Sequence, residues 1–175
     1  MEAHTSFDWL DFTSKAAGPV LAAILAAILA TWFSSNRFYK EKWWEKRLQS
    51  FTDLIEIAYR VKMVDDYSLE CQYLNKGEGS HGFNQHPKDV ADALYAEYWR
   101  DIQDIERISQ LAEFTLTPKA AKILNDFLAK RKQIRSDFHE EAMSSEDCEE
   151  EDYKASKKLL EELVAEAKGN LKIRH

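Results

Sequence analysis

Apolar positions along the chain follow two patterns: one unbroken block near the N-terminus and, beyond it, stripes recurring every three or four residues. The block, Ala16 to Phe33, holds 18 residues without a charge. At about 1.5 Å rise per residue such a helix spans roughly 27 Å, close to the hydrocarbon thickness of a bilayer. The pattern therefore predicts a transmembrane helix over 16–35, with Pro19 in a first turn that tolerates its missing N–H.

Downstream, Leu48, Phe51, Ile55 and Ala58 repeat at helical spacing, and Leu54, Ile57, Val61 and Val64 widen the stripe toward Cys71 and Leu74. With no Gly or Pro between Pro19 and Gly77, a long first helix is expected, Ser34-Ser35-Asn36 being its candidate break. The run Lys76 to Pro87 holds three of the five glycines and reads as a loop. A second helix is expected from about Lys88, with Val90, Leu94, Tyr98, Ile102 or Ile105, Ile108 and Leu111 on one face. Thr117-Pro118 predicts the cap and first residue of a third helix carrying Ala121, Leu124, Leu128 and Ile134 with Ile123, Phe127 and Phe138. A fourth is expected over Lys154 to Lys168, with Leu159, Leu160, Leu163 and Val164 as its apolar face and Gly169 as terminator.

The fold class that follows is all-α: an N-terminal single transmembrane helix and then a cytosolic antiparallel bundle of about four helices, packed in coiled-coil fashion. The expected divisions are a short outer-face interfacial segment over 1–15, the span over 16–35, a basic-aromatic juxtamembrane segment over 36–47 and the bundle over 48–175. Phe7, Trp9, Leu10 and Phe12 are the apolar residues of the first segment.

Charge sets an orientation. Residues 1–15 carry a net −2, whereas residues 37–47 set Arg37, Lys40, Lys42, Lys46 and Arg47 against Glu41 and Glu45. Lys and Arg accumulate on the cytoplasmic side, which predicts an outside N-terminus and a cytoplasmic C-terminal domain at a bacterial inner membrane. A cleaved secretory signal is disfavoured by the acidic leader and by the block's ending in Ala30-Thr31-Trp32-Phe33. Trp32, Phe33, Phe38, Tyr39, Trp43 and Trp44 then form an aromatic collar at the inner headgroups, with the basic residues facing anionic lipid. Trp43 and Trp44 also suit, in part, a domain core, and the two readings are compatible because adjacent helix positions point about 100° apart and do not share one environment. Gly18, Ala22, Ala26 and Ala30 recur every four residues, the small-residue spacing of helix association, while Ala23 and Ala27 spread small side chains more widely.

The stretch Phe38 to Arg47 (Phe-Tyr-Lys-Glu-Lys-Trp-Trp-Glu-Lys-Arg), followed by Phe51 and Ile55, resembles the juxtamembrane signature of small, single-span bacterial membrane proteins of uncharacterised function. Ile105 to Ile108, then Phe114 to Pro118 and Ala120-Ala121, is similar to the same group. The resemblance covers most of residues 38–170 and implies a bacterial origin and a helical cytosolic domain. It carries no activity and no site residues.

Candidate chemistry is sparse. His81 and His86, with Glu78 or Asp89, supply metal-ligating types in the glycine loop, against the plainer reading of a solvated loop. His139 beside Glu140 and Glu141 reads as helix-end charge. Cys71 falls near an apolar stripe, and Cys148 lies among acids that discourage thiolate chemistry. No phosphate loop, dinucleotide fingerprint, zincin motif or nucleophile elbow occurs, so neither an enzyme nor a cofactor is expected. Residues 48–175 contain 18 basic and 26 acidic side chains, which argues against nucleic acid.

Glu140 to Asp152 carries eight acids and no base. Glu146, Asp147, Glu149, Glu150, Glu151 and Asp152 are candidate docking residues for a basic protein partner, against a solvated or disordered loop. The expected function is a membrane-anchored helical interaction or scaffold protein that presents its bundle at the inner membrane surface and self-associates. The alternative is a membrane-perturbing effector of a bacterial toxin or anti-phage defence system.

Overall fold

The computed structural model describes the backbone of residues 9–80 and 82–170, and the side chains of residues 23–80 and 82–170. It contains four helices: α1 (Trp9–Asn75), α2 (Lys88–Thr115), α3 (Pro118–His139) and α4 (Ser145–Asn170). No strand occurs among the described residues. The chain divides into two compact units, residues 1–45 and residues 46–175.

In the first unit α1 is already helical from Trp9, so Pro19 lies within it and not in its first turn. No break occurs at Ser34-Ser35-Asn36; every residue there is helical. Among the described residues no helix is long and apolar enough to cross a membrane. The expected span lies partly outside them, since the side chains of residues 16–22, with Gly18 and Ala22, are not described, and neither is Phe7.

The second unit is a four-helix bundle. Pairings between α1 and α2 descend one helix as they climb the other: Arg60 with Asp101, Asp65 with Tyr98, Ser68 with Tyr95. The same antiparallel order joins α3 to α4, through Lys119–Glu166, Lys130–Glu151 and Arg135–Asp152. Lys76–Glu146 and the Lys62 ammonium over the Tyr153 ring, 5.2 Å from its centroid, bring α4 back against α1 and close the ring.

Local chemistry fixes where the helices begin and end. Gly77, at φ 80°, supplies the left-handed turn that ends α1, a conformation that costs a residue with a Cβ. Thr117 caps α3 by accepting from the Ala120 N–H at 3.0 Å, with Pro118 as first residue. Leu116 and Thr117 alone join α2 to α3, which forces those helices antiparallel. Ser144 opens α4, accepting from the Asp147 N–H at 3.1 Å and donating to the Asp147 carboxylate at 2.6 Å. The fourth helix thus starts nine residues before Lys154, takes in the acidic run from Glu146 to Asp152 and continues through Gly169.

Phe51, Leu54 and Val61 of α1, Ile105 of α2, Leu124 and Ile134 of α3, and Leu159 and Leu163 of α4 are almost wholly buried. Each contributes about 1.5–3 kcal/mol of hydrophobic stabilisation. Several stripe residues lie outside this core. In α2 the inward register runs through Tyr98, Ile102, Ile105 and Ala112, which turns Leu111, about 100° away, to the surface. Val90, Leu48 and Leu74 are likewise exposed, and Cys71, expected inside, is half-buried.

Candidate functional site

The bundle interior contains a charged layer to which all four helices contribute. Asp65 follows Val61 by four residues on the inner face of α1, and Arg131 follows Phe127 by four on that of α3. Tyr98 enters from α2, and Asp152 and Ser156 from α4. All five are buried.

The Tyr98 hydroxyl donates to Asp65 Oδ1 at 2.6 Å and accepts from Arg131 Nη1 at 2.5 Å. The same guanidinium nitrogen lies 4.0 Å from Asp65 Oδ1 and 3.8 Å from Asp152 Oδ1, and the Arg131 head sits over the Tyr98 and Phe127 rings. Arg135, nearer the surface, donates from Nη2 to Asp152 Oδ2 at 2.5 Å. The layer thus sets two carboxylates against two guanidiniums around one phenol. Asp65 Oδ2, Asp152 Oδ1 and Arg135 Nε are buried without a hydrogen-bond partner among the described residues.

Burial dominates the electrostatics. It pushes the Asp65 carboxyl up to about 6, against the Tyr98 hydrogen bond and the Arg131 charge, which favour the anion. Asp152 shifts upward for the same reason, and so does Glu149, next to it in the layer's field. Burial and the Asp65 charge keep the Tyr98 phenol protonated. Burial opposes the Arg131 charge too, but Tyr98, Asp152 and Asp65 outweigh it.

Two further polar clusters join the helices, one a turn away from this layer and one at the α2–α3 turn. Asp101, buried on α2, receives two bonds from Arg60, from Nε at 2.9 Å and Nη2 at 2.7 Å. At the α2–α3 turn the buried Glu166 accepts from the Thr117 hydroxyl at 2.8 Å and pairs with Lys119 at 3.0 Å. Asn170 donates to the same carboxylate.

The acidic run is largely committed within the chain. Asp152 is buried in the charged layer and therefore does not form part of a docking surface. Glu146 pairs with Lys76, Glu150 with Lys154, and Glu151 with both Lys130 and Lys154. Asp147 serves the α4 cap, and Glu149 is half-buried. The Cys148 thiol, buried on α4, is held up chiefly by that burial, with the surrounding acids adding to it and Arg135 opposing.

The glycine loop is tethered to α1. Tyr67 stacks on His86 with centroids 4.8 Å apart and accepts from the His86 backbone N–H at 3.0 Å, while Ser80 donates to Glu70 at 2.9 Å. His81 lies outside the described residues. Among the described residues no three His, Cys, Asp or Glu side chains group to hold a metal ion.

In the first unit Ile24, Leu25, Ile28, Leu29, Trp32 and Phe33 are each more than half exposed. At about 100° per residue these six cover one half of the helix surface, and Ala23, Ala26, Ala27 and Ala30 the other. Phe38, Tyr39, Lys40, Lys42, Trp43 and Trp44 are exposed in sequence, neither tryptophan being buried. Arg37 pairs with Glu41 at 2.9 Å and Lys42 with Glu45 at 2.6 Å. In the second unit Lys46 is exposed and Arg47 half-buried.

From the sequence alone Asp65 and Arg131 receive no role, and Asp152 stands only among the candidate docking residues. The available signal was their register: each continues the apolar stripe of its own helix. Comparison with family models, with curated proteins and with solved structures finds no match to this chain.

Proposed function

We propose that the chain is a membrane-anchored helical interaction protein, held by one span over residues 16–35 and presenting the bundle of residues 46–175 at the inner surface. The observation that carries this reading is the exposed apolar surface of Ile24 to Phe33, which finds no burial within its own unit. A helix segment apolar on every side requires a surrounding apolar phase. Together with Ala16 to Leu21 the segment reaches the length a bilayer needs.

The collar from Trp32 to Arg47 supports the orientation, its aromatic rings at headgroup level and its cations near anionic lipid. The alanine half of the helix supports self-association, since small side chains let backbones approach closely. Thr31, the one polar side chain between Ala16 and Phe33, donates to the Ala27 carbonyl at 2.8 Å. Its hydroxyl is satisfied by its own helix, which favours an anchor over the lining of a water-filled pore. The resemblance of the juxtamembrane stretch to small single-span bacterial membrane proteins points the same way.

The test is expression of the full chain in a bacterium, with alkaline extraction of membranes, reporter fusions at each end and a membrane-potential dye. Retention in the membrane with the C-terminal reporter cytoplasmic and the potential unchanged supports the anchor. Release by alkali removes the span altogether. Depolarisation that depends on residues 16–35 replaces the anchor with the membrane-perturbing effector.

A further inference from the structure

Beside the charged layer lies a crevice of about 230 Å³ to which all four helices contribute walls. Asp65 is the most buried of its lining side chains, and its Oδ2 lacks a hydrogen-bond partner among the described residues. The Ser156 hydroxyl, which favours the Asp65 anion by hydrogen bonding, is shared with the Tyr153 carbonyl at 3.1 Å. Glu149 supplies a second carboxylate, half-buried and without an ion pair or hydrogen bond among the described residues. Arg135 also lines the space, with its Nη2 bonded to Asp152 at 2.5 Å and its Nε without a hydrogen-bond partner among the described residues. Trp99 and the paired Ser68 and Tyr95 hydroxyls complete the walls.

This lining selects by charge and by donor count. Asp65, Asp152 and Glu149 meet two guanidiniums, Arg131 and Arg135, so the layer and its crevice keep one negative charge in excess and disfavour an anion, and among the described residues no three His, Cys, Asp or Glu side chains group there for a metal ion. An ammonium offers three N–H donors, and an indole face attracts a cation. At about 30 Å³ per water the crevice equals roughly eight waters, room for an amine with a short alkyl chain. A buried acceptor left unpaired is costly, so an occupant that donates to it recovers affinity.

We propose that this crevice is a binding site for a small protonated amine, with Asp65 Oδ2 and the Glu149 carboxylate as its acceptors and Trp99 as its aromatic wall. The site stands independently of the membrane reading, because every residue in it belongs to the bundle.

The test titrates the full chain in mild detergent with n-butylammonium chloride and follows the Trp99 indole N–H by NMR, assigned with Trp99→Phe. Sodium chloride at matched ionic strength, n-butanol and tetramethylammonium serve as controls. The expected result is saturation with a Kd of about 1 mM or tighter. No saturation is expected with n-butanol or tetramethylammonium, and the Kd should weaken at least about tenfold in Glu149→Gln. Glu149 lies at the layer's margin, so this variant keeps the fold testable where Asp65→Asn alters the interior. A crevice filled by water alone gives no saturable shift, and that result overturns the proposal. Equal responses to butanol and butylammonium, or an unchanged Kd in Glu149→Gln, overturn it as well.

Discussion

Asp65 is an ionisable group whose burial works against its charge. Because its folded pKa is raised from the ordinary 3.8 to about 6, its favourable contribution is complete below about 3.8 and is lost as pH climbs through about 6. The full difference, about two pKa units, corresponds to roughly 3 kcal/mol. Asp65→Asn mimics the protonated form and still accepts from Tyr98. It should raise bundle stability at pH 7.5 by about 1–3 kcal/mol in urea unfolding, with a smaller gain at pH 5. Asp152 and Glu149, also shifted upward, leave a residual slope of the same sign. An equal change at both pH values contradicts the buried-carboxylate account. Arg131→Ala acts in the opposite direction: it leaves Asp65 and Asp152 uncompensated and should cost about 3–5 kcal/mol. The loss should shrink in an Asp65→Asn, Asp152→Asn background, which a double-mutant cycle measures directly.

Helix boundaries depend on short-range chemistry, which explains why some were legible and others not. Thr117-Pro118 is a strong local signal, and α3 begins where it directs. The start of α4 carries an equally local signal in Ser144 and Asp147, but the acid-rich composition between them and Lys154 pointed toward a loop. Both caps are testable. Thr117→Ala should lower stability by about 1–2 kcal/mol, because the hydroxyl serves the Ala120 N–H and Glu166 together. Ser144→Ala should cost about 1 kcal/mol and increase amide exchange of residues 145–148 while sparing the α3 start. Stripes were legible as periodicity, whereas the depth of each residue depended on neighbouring helices. Leu111 and Ala112 show the difference: the larger side chain suggested the core, yet Ala112 is fully buried and Leu111 half-exposed. The charged layer exceeded sequence reading for the same reason, since its charges compensate one another only once four helices fix their relative heights.

For the whole molecule, the proposed anchor and the four-residue spacing of Gly18, Ala22, Ala26 and Ala30 predict a separation of insertion from association. Replacing Gly18, Ala22 and Ala26 together by Leu should leave alkali-resistant membrane retention intact and reduce cross-linked dimer several-fold, because bulk along that face blocks close backbone approach. An undiminished dimer places self-association elsewhere. The bundle has a different dependence, on the order in which its pieces arrive. Thr117 caps α3 with its oxygen, but its hydroxyl donates to Glu166, forty-nine residues downstream, and Arg131 and Arg135 find Asp152 on the same late helix. During synthesis, then, the first three helices emerge with the Thr117 turn and Arg135 lacking their carboxylates and with Arg131 facing only Asp65 of its two. The ring cannot settle until residue 166 has cleared the ribosome, and folding of this bundle is a late, post-emergence event and not a helix-by-helix accretion.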